Sequence, residues 1–304
     1  MTSTVERSPA LDANECVQAV LEELKRLRID GAETVYLQKG TLDSLQRLLA
    51  GREQERQPVK SSAKTSESSR PTVARVAEKA VSSEASQLPP PPSFALPEGS
   101  KEVRIAKLRE KVLGCPVCNA NLNPGAKVVF GIGDVNAEIF FCGEAPGADE
   151  EMAGEPFVGP AGKLLDKIIS AMGLSREGVF IGNIMNWRPQ HEQAFGNRPP
   201  TDEEMRFCLP YLEAQVEVVQ PKVIVALGRT ATNGMLSPDP EDKMADLRGK
   251  WWSFRDFPVM VTYHPSYLLH NPSNSAKRRV WEDLMLVMER LEMPISDKQR
   301  GFFL

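Results

Sequence analysis

Nothing in the 304-residue sequence approaches the ~20 consecutive apolar residues that a membrane-spanning helix needs, and Met1 to Ala10 lacks the basic-then-apolar order of a secretory leader. Both absences point to a cytoplasmic protein with no membrane partner. Cysteine is scarce and odd in number, five in all, which argues against a disulfide framework and for free thiols or metal ligands. Positive charge is not in excess either. The formal net charge is −4, and residues 101–304 hold 24 Lys and Arg against 27 Asp and Glu, so no global basic field advertises a nucleic-acid partner. Any such contact must be local. Arg188 with Arg198, and the run Lys277-Arg278-Arg279, either neutralise phosphates or are ordinary solvated charge.

Large apolar residues are also sparse from Arg52 to Ser100, where Ser, Pro, Glu, Lys and Ala dominate and Pro89-Pro90-Pro91-Pro92 favours extended polyproline II. This composition predicts a disordered linker over 52–100, between an N-terminal segment, 1–51, and a main domain, 101–304. In the N-terminal segment Leu11, Val17, Val20, Leu21, Leu24 and Leu27 recur at spacings close to a helical repeat. Thr41 to Ser44 can cap a second helix bearing Leu45, Leu48 and Leu49. Two short helices bury little alone, so this segment is expected to dock on a protein partner, on the main domain or on another copy of itself. Cys16 on the first helix suggests no site.

What is present is concentrated in the main domain, within a chain that is 41% hydrophobic, enough for a sizeable core. The apolar runs Ala137 to Cys142, Val179 to Ile184, Val223 to Leu227 and Val259 to Tyr263 read as buried strands. Gly162 to Met172, Asp202 to Val219, Thr230 to Leu236 and Ala276 to Leu291 read as helices. Strands separated by helices imply an α/β fold, a three-layer α/β/α arrangement with a central four-stranded parallel sheet. The turns after the first, second and fourth strands then share one sheet edge, where open α/β sheets place their ligands.

Those turns hold the chemically distinctive residues. Gly143-Glu144-Ala145-Pro146-Gly147 ends the first strand, and Glu155-Pro156-Phe157-Val158-Gly159-Pro160-Ala161-Gly162 follows it. Asn183 ends the second strand, and His264-Pro265-Ser266-Tyr267-Leu268-Leu269 follows the fourth. One glycine-rich turn would mean little, because tight turns need glycine whatever the protein does. Three ordered motifs mean more. Over about residues 113–291 they resemble the motifs of family 4 uracil-DNA glycosylases. The resemblance implies base excision repair: hydrolysis of the N-glycosidic bond of deoxyuridine in single- or double-stranded DNA, releasing uracil and leaving an abasic site. No lysine lies in the core motifs to act as an amine nucleophile, so no Schiff-base lyase step is expected.

Each residue has a functional and a structural reading. The Asn183 amide offers one acceptor and two donors, which match uracil N3–H and O4 but not cytosine; otherwise it fixes a strand-end turn. Phe157 stacks on the flipped base, as its match in the family does, or is core. His264 is the donor expected to meet the charge developing on the leaving uracil, with Ser266 beside it; a lone histidine at a strand end is usually structural. Leu268 and Leu269 either wedge into the base stack or begin a buried helix. Glu144 is the carboxylate expected to orient water or stabilise a cationic sugar. Ala145 stands where uracil-DNA glycosylases of another family carry a catalytic Asp. Glu150 matches a motif Glu and walls the pocket against a thymine methyl, or is surface charge. Gly143 and Gly147 complete the substrate-binding turn.

The resemblance also implies a [4Fe–4S] cluster on four cysteines, and here the chain departs from it. Cys115 and Cys118 supply the first pair and Cys208 matches the last, but Trp187 holds the third position. Three thiolates could carry an iron–sulfur cluster alone, His191 could complete a Cys₃His site that zinc also accepts, or the site is empty and the cysteines pack as small hydrophobes. Cys142, on the first strand, reads as core. Two other functions compete with the glycosylase: a protein that traps uracil-DNA covalently through a histidine in the region of His191, and a non-catalytic metal-cluster scaffold of the replication machinery.

Overall fold

The computed structural model describes residues 88–190, 197–239 and 241–304. The N-terminal helices, Cys16, most of the expected linker and His191 lie outside the described residues. Helices α1 (Lys101–Leu113) and α2 (Pro116–Ala120) precede a six-stranded sheet. Its strands are β1 (Ile132–Gly133), β2 (Ile139–Gly143), β3 (Phe180–Asn183), β4 (Val223–Leu227), β5 (Trp251–Phe254) and β6 (Phe257–Thr262), in the order β1-β3-β2-β4-β6-β5. Between strands lie α3 (Ala148–Ala153), α4 (Pro160–Ala171), α5 (Asp202–Val219), α6 (Gly228–Leu236) and α7 (Met244–Leu247). After β6 come α8 (Pro265–His270), α9 (Asn274–Arg290) and α10 (Asp297–Arg300).

The four strands read from the sequence are the central ones, and they pair in parallel as β3-β2-β4-β6. The expectation of a four-stranded, wholly parallel sheet is corrected at both margins, because β1 and β5 add antiparallel edges. Every residue of β2, β3 and β4 is buried, so both faces of the sheet are covered. That burial explains their unbroken apolar character, where a half-exposed strand would alternate. Each fully buried Val, Ile or Phe there contributes about 1.5–3 kcal/mol relative to exposure.

Local signals place the helices. Thr201 caps α5 by accepting the Glu204 N–H at 3.2 Å, while Glu204 Oε2 accepts the Thr201 N–H at 2.8 Å, a reciprocal box that satisfies two donors at the helix start. Pro160 opens α4, where a missing N–H costs nothing. Residues 88–100, read from the sequence as the end of the linker, pack on the domain. Leu88, Phe94 and Leu96 are partly buried against the core, and the Leu88 N–H donates to Glu203 Oε1 at 2.8 Å. Among the described residues no helix is long and apolar enough to cross a membrane.

Candidate active site

The carboxyl ends of β2 and β3 and the loop after β6 meet at a cleft of about 270 Å³. The pairing of β2 with β3 continues past both strand ends: the Ile184 N–H donates to Gly143 O at 2.9 Å and the Met185 N–H to Glu144 O at 3.0 Å. Glu144 and Asn183 are thereby fixed side by side. Glu144, Ala145, Gly147, Glu150, Phe157, Asn183, His264 and Ser266 all line this cleft, so the structure brings together eight of the ten residues singled out for catalysis or substrate binding. Gly143 lies just behind them, and Leu268 is elsewhere.

Asn183 is 6% exposed, and its Oδ1 has no hydrogen-bond partner. Four buried side-chain oxygens among the described residues share that condition, but only Asn183 lines the cleft. A buried acceptor without a donor costs about 1–3 kcal/mol. Phe157, also buried, has φ 55°, in the left-handed region that bulky residues avoid. Its ring lies 5.6 Å from the His264 ring, tilted 31°. Gly143 leaves the room in which Asn183 and the Phe157 ring converge. A Cβ there would sit 2.5 Å from both Asn183 Oδ1 and the Phe157 ring.

His264 caps α8 through its side chain: Nδ1 accepts the Ser266 N–H at 3.2 Å and lies 2.8 Å from Ser266 Oγ. A backbone N–H can only donate, so Nδ1 is the acceptor and the neutral ring carries its proton on Nε2. Ser266 therefore sets the tautomer and the ring orientation. Glu150 lines the cleft and also ties two of its turns together. Its Oε1 accepts the Val158 and Gly159 N–H groups at 3.0 and 2.8 Å, and its Oε2 accepts the Gly147 N–H at 3.1 Å. The carboxylate lines the cleft while tying the first turn to the Phe157 loop.

Two expectations shift. Leu268 is 7% exposed and belongs to the core, whereas Leu269 is 43% exposed and lines the cleft, so any wedge is Leu269. Arg188 and Arg198 are engaged within the protein. Arg188 Nη1 donates to Glu151 Oε1 at 2.8 Å, and Arg198 meets both Glu204 oxygens at 2.6 and 2.7 Å. Arg198 still borders the cleft. In the basic run, Arg278 donates to Glu282 and to the Arg300 and Phe302 carbonyls, and Lys277 lies over the Phe303 ring.

Cys115, Cys118 and Cys208 form a separate corner, and Cys142 lies on β2. Cys115, Cys118, Cys142 and Cys208 are buried free thiols, and burial pushes the Cys142 thiol up. Trp187, at the third family position, is 0% exposed. Among the described residues no group of three His, Cys, Asp or Glu is arranged to hold a metal ion. The residues present do not fit a four-cysteine cluster, since an indole has no lone pair to give iron.

With this geometry in view, comparison with known proteins is informative. Residues 130–285 match the family model described as the uracil DNA glycosylase superfamily. A type-4 uracil-DNA glycosylase of Thermotoga maritima is 39% identical over 188 residues, covering 61% of this chain and 93% of the relative. One from Sulfurisphaera tokodaii is 39% identical over 181 residues, covering 56% and 77% respectively. A type-5 uracil-DNA glycosylase of Thermus thermophilus is 30% identical over 149 residues, covering 44% of this chain and 65% of the relative. By its family match and its relatives, the chain belongs to the uracil-DNA glycosylase superfamily.

Proposed function

We propose that the domain, a three-layer α/β/α glycosylase, excises uracil from DNA by hydrolysing the N-glycosidic bond, and that Asn183, Phe157, His264 and Glu144 divide the work. The observation that carries this reading is the unpartnered, buried Asn183 Oδ1 beside Phe157 and His264. The target nucleotide must leave the base stack for its Watson–Crick edge to be read. Uracil N3–H meets Asn183 Oδ1, and the Asn183 amide N–H meets O4. Cytosine presents an acceptor and a donor in the opposite places. A mismatch of that kind leaves buried groups unpaired and rejects by roughly 10⁴-fold.

As the C1′–N1 bond breaks, its electron pair moves onto the uracil ring and O2, and the sugar becomes cationic. His264, with its proton held on Nε2 by Ser266, donates to the developing O2 charge; a donor of this kind is worth about 10²–10³ in rate. Glu144 faces the cationic sugar and the incoming water, which adds to C1′ and gives its proton to the Glu144 carboxylate, while the departing uracil anion takes up a proton from solvent. Leu269 occupies the gap left in the stack. The products are free uracil and an abasic site, and the substrate need only be uracil-containing DNA within the cytoplasmic space expected from the sequence. No step passes through the cysteines.

The test is alkali-revealed strand cleavage of a labelled oligonucleotide holding one uracil. Native protein is expected to cleave. Asn183→Asp, which cannot donate to O4, should lose roughly 10³-fold or more in kcat/KM, and His264→Ala about 10²–10³-fold. Intact DNA binding without base release by the native protein would refute the proposal, and an SDS-resistant adduct would replace it with covalent trapping.

A further inference from the structure

The corner that holds the three cysteines is closed by aromatic side chains. Cys115 caps α2 and accepts the Cys118 N–H at 3.5 Å, while Cys208 comes from α5. Cys208 neighbours Cys118, and Tyr211 neighbours Cys115. A four-iron cluster requires its thiolates held apart around an inorganic core. Among the described residues only Cys115, Cys118 and Cys208 meet at this corner, one thiolate short of a four-cysteine set. Zinc in a structural site requires four donors in a tetrahedron, and the position where the family resemblance calls for a fourth cysteine is occupied by the buried Trp187.

Trp187 begins a continuous run of ring contacts. Its centroid lies 6.1 Å from Phe207, Phe207 lies 6.4 Å from Tyr211, and Tyr211 stacks on Phe94 at 5.5 Å and 28°. Phe94 belongs to the segment after Leu88, which the Glu203 carboxylate anchors. Pro89, Pro90, Pro92 and Ser93 of that segment share one groove with Cys115, Phe207 and Tyr211. Lys111 Nζ sits 5.2 Å over the outer face of the Phe94 ring.

We infer that this protein holds no resident metal at the cysteine corner, and that Trp187, Phe207, Tyr211 and Phe94, sealed by Leu88–Leu96, give it the cohesion that a metal staple would otherwise supply. The inference is independent of the reaction. It is tested on the full chain, purified without oxygen from iron-replete cells and then incubated under reducing conditions with ferrous iron and sulfide or, separately, with zinc. After desalting, elemental analysis should find well below one metal per chain and no visible charge-transfer absorption. A chelator should leave the melting temperature unchanged, and Phe94→Ala should lower it by about 2–6 °C. About four irons or about one zinc per chain would overturn the inference, the zinc result pointing to a Cys₃His site through His191. A melting temperature indifferent to Phe94→Ala would overturn the aromatic seal.

Discussion

At the scale of single residues, the cleft depends on an absent side chain. Gly143 has Asn183 Oδ1 and the Phe157 ring converging on the space where its Cβ would lie, each at 2.5 Å. Gly143→Ala must displace the Asn183 amide or the Phe157 ring, and on the proposed roles of those groups a shift near 1 Å costs about 10²-fold in rate. Single-turnover uracil release by the folded variant should fall by about that factor; an unchanged rate would show that the cleft is looser than the distances indicate. The places of Gly143, Asn183 and His264 were legible in the sequence because each ends or closely follows a strand whose burial is itself legible. Leu268 was not. A six-residue helix such as α8 is too short for periodicity to separate the buried leucine from the exposed one beside it. The work of Glu150 was hidden for another reason. Its three backbone partners lie on two turns, and no pattern of residue types announces that they meet.

At the scale of elements, the Phe157 loop is held in a conformation it would not choose. A bulky residue at positive φ costs about 1–3 kcal/mol, and neighbouring groups clamp both sides of Phe157. Glu150 holds the N–H groups of Val158 and Gly159, while Arg176, from the turn before β3, donates to Pro156 O at 2.6 Å and to Asp166 Oδ1 at 2.7 Å. Gly162, at the start of α4, lets the Phe157 carbonyl approach to where a Cβ would be 1.8 Å away. Arg176 is thus a positioning residue acting through Phe157. Arg176→Ala should lower kcat about 10-fold with KM changed less, and should cost little more once Phe157 is already Ala, the non-additivity expected of coupled neighbours. Equal losses in both backgrounds would assign Arg176 some other role. The edge strands escaped the sequence because edges carry weak signals. β1 is two residues long, and β5 is half exposed, joined to β6 by a turn in which Arg255 and Asp256 both take positive φ without glycine.

At the scale of the whole molecule, the βα alternation could be read from the chain because a parallel sheet covered on both faces demands unbroken apolar strands. Two features at its margins could not. The segment from Leu88 to Leu96 averages out as linker, yet its few apolar residues, spaced by prolines, all find the domain. Asp283 sits on α9 among charged neighbours and reads as surface, but it is 1% exposed. It accepts from Arg248 Nε and Nη2 at 3.0 and 2.7 Å and from Thr262 Oγ1 at 2.6 Å. Thr262 ends β6, two residues before His264, so this latch ties α9 to the strand that leads into the cleft. Burial pushes the Asp283 carboxyl up to about 6 from 3.8, although Arg248 and Thr262 pull it down. Between those two values the folded protein binds more protons than the unfolded chain, so the contribution of Asp283 to stability is fully present below the unfolded value and lost as pH rises through the folded one. The loss amounts to about 3 kcal/mol. Urea unfolding of the native protein and of Asp283→Asn should therefore diverge: relative to the variant, the native protein should lose stability from about pH 4 to about pH 6 and change little above that. Parallel curves across that window would mean that the ion pair with Arg248 compensates the burial of Asp283 in full, and that the molecule holds α9 beneath β6 without an electrostatic penalty at neutral pH.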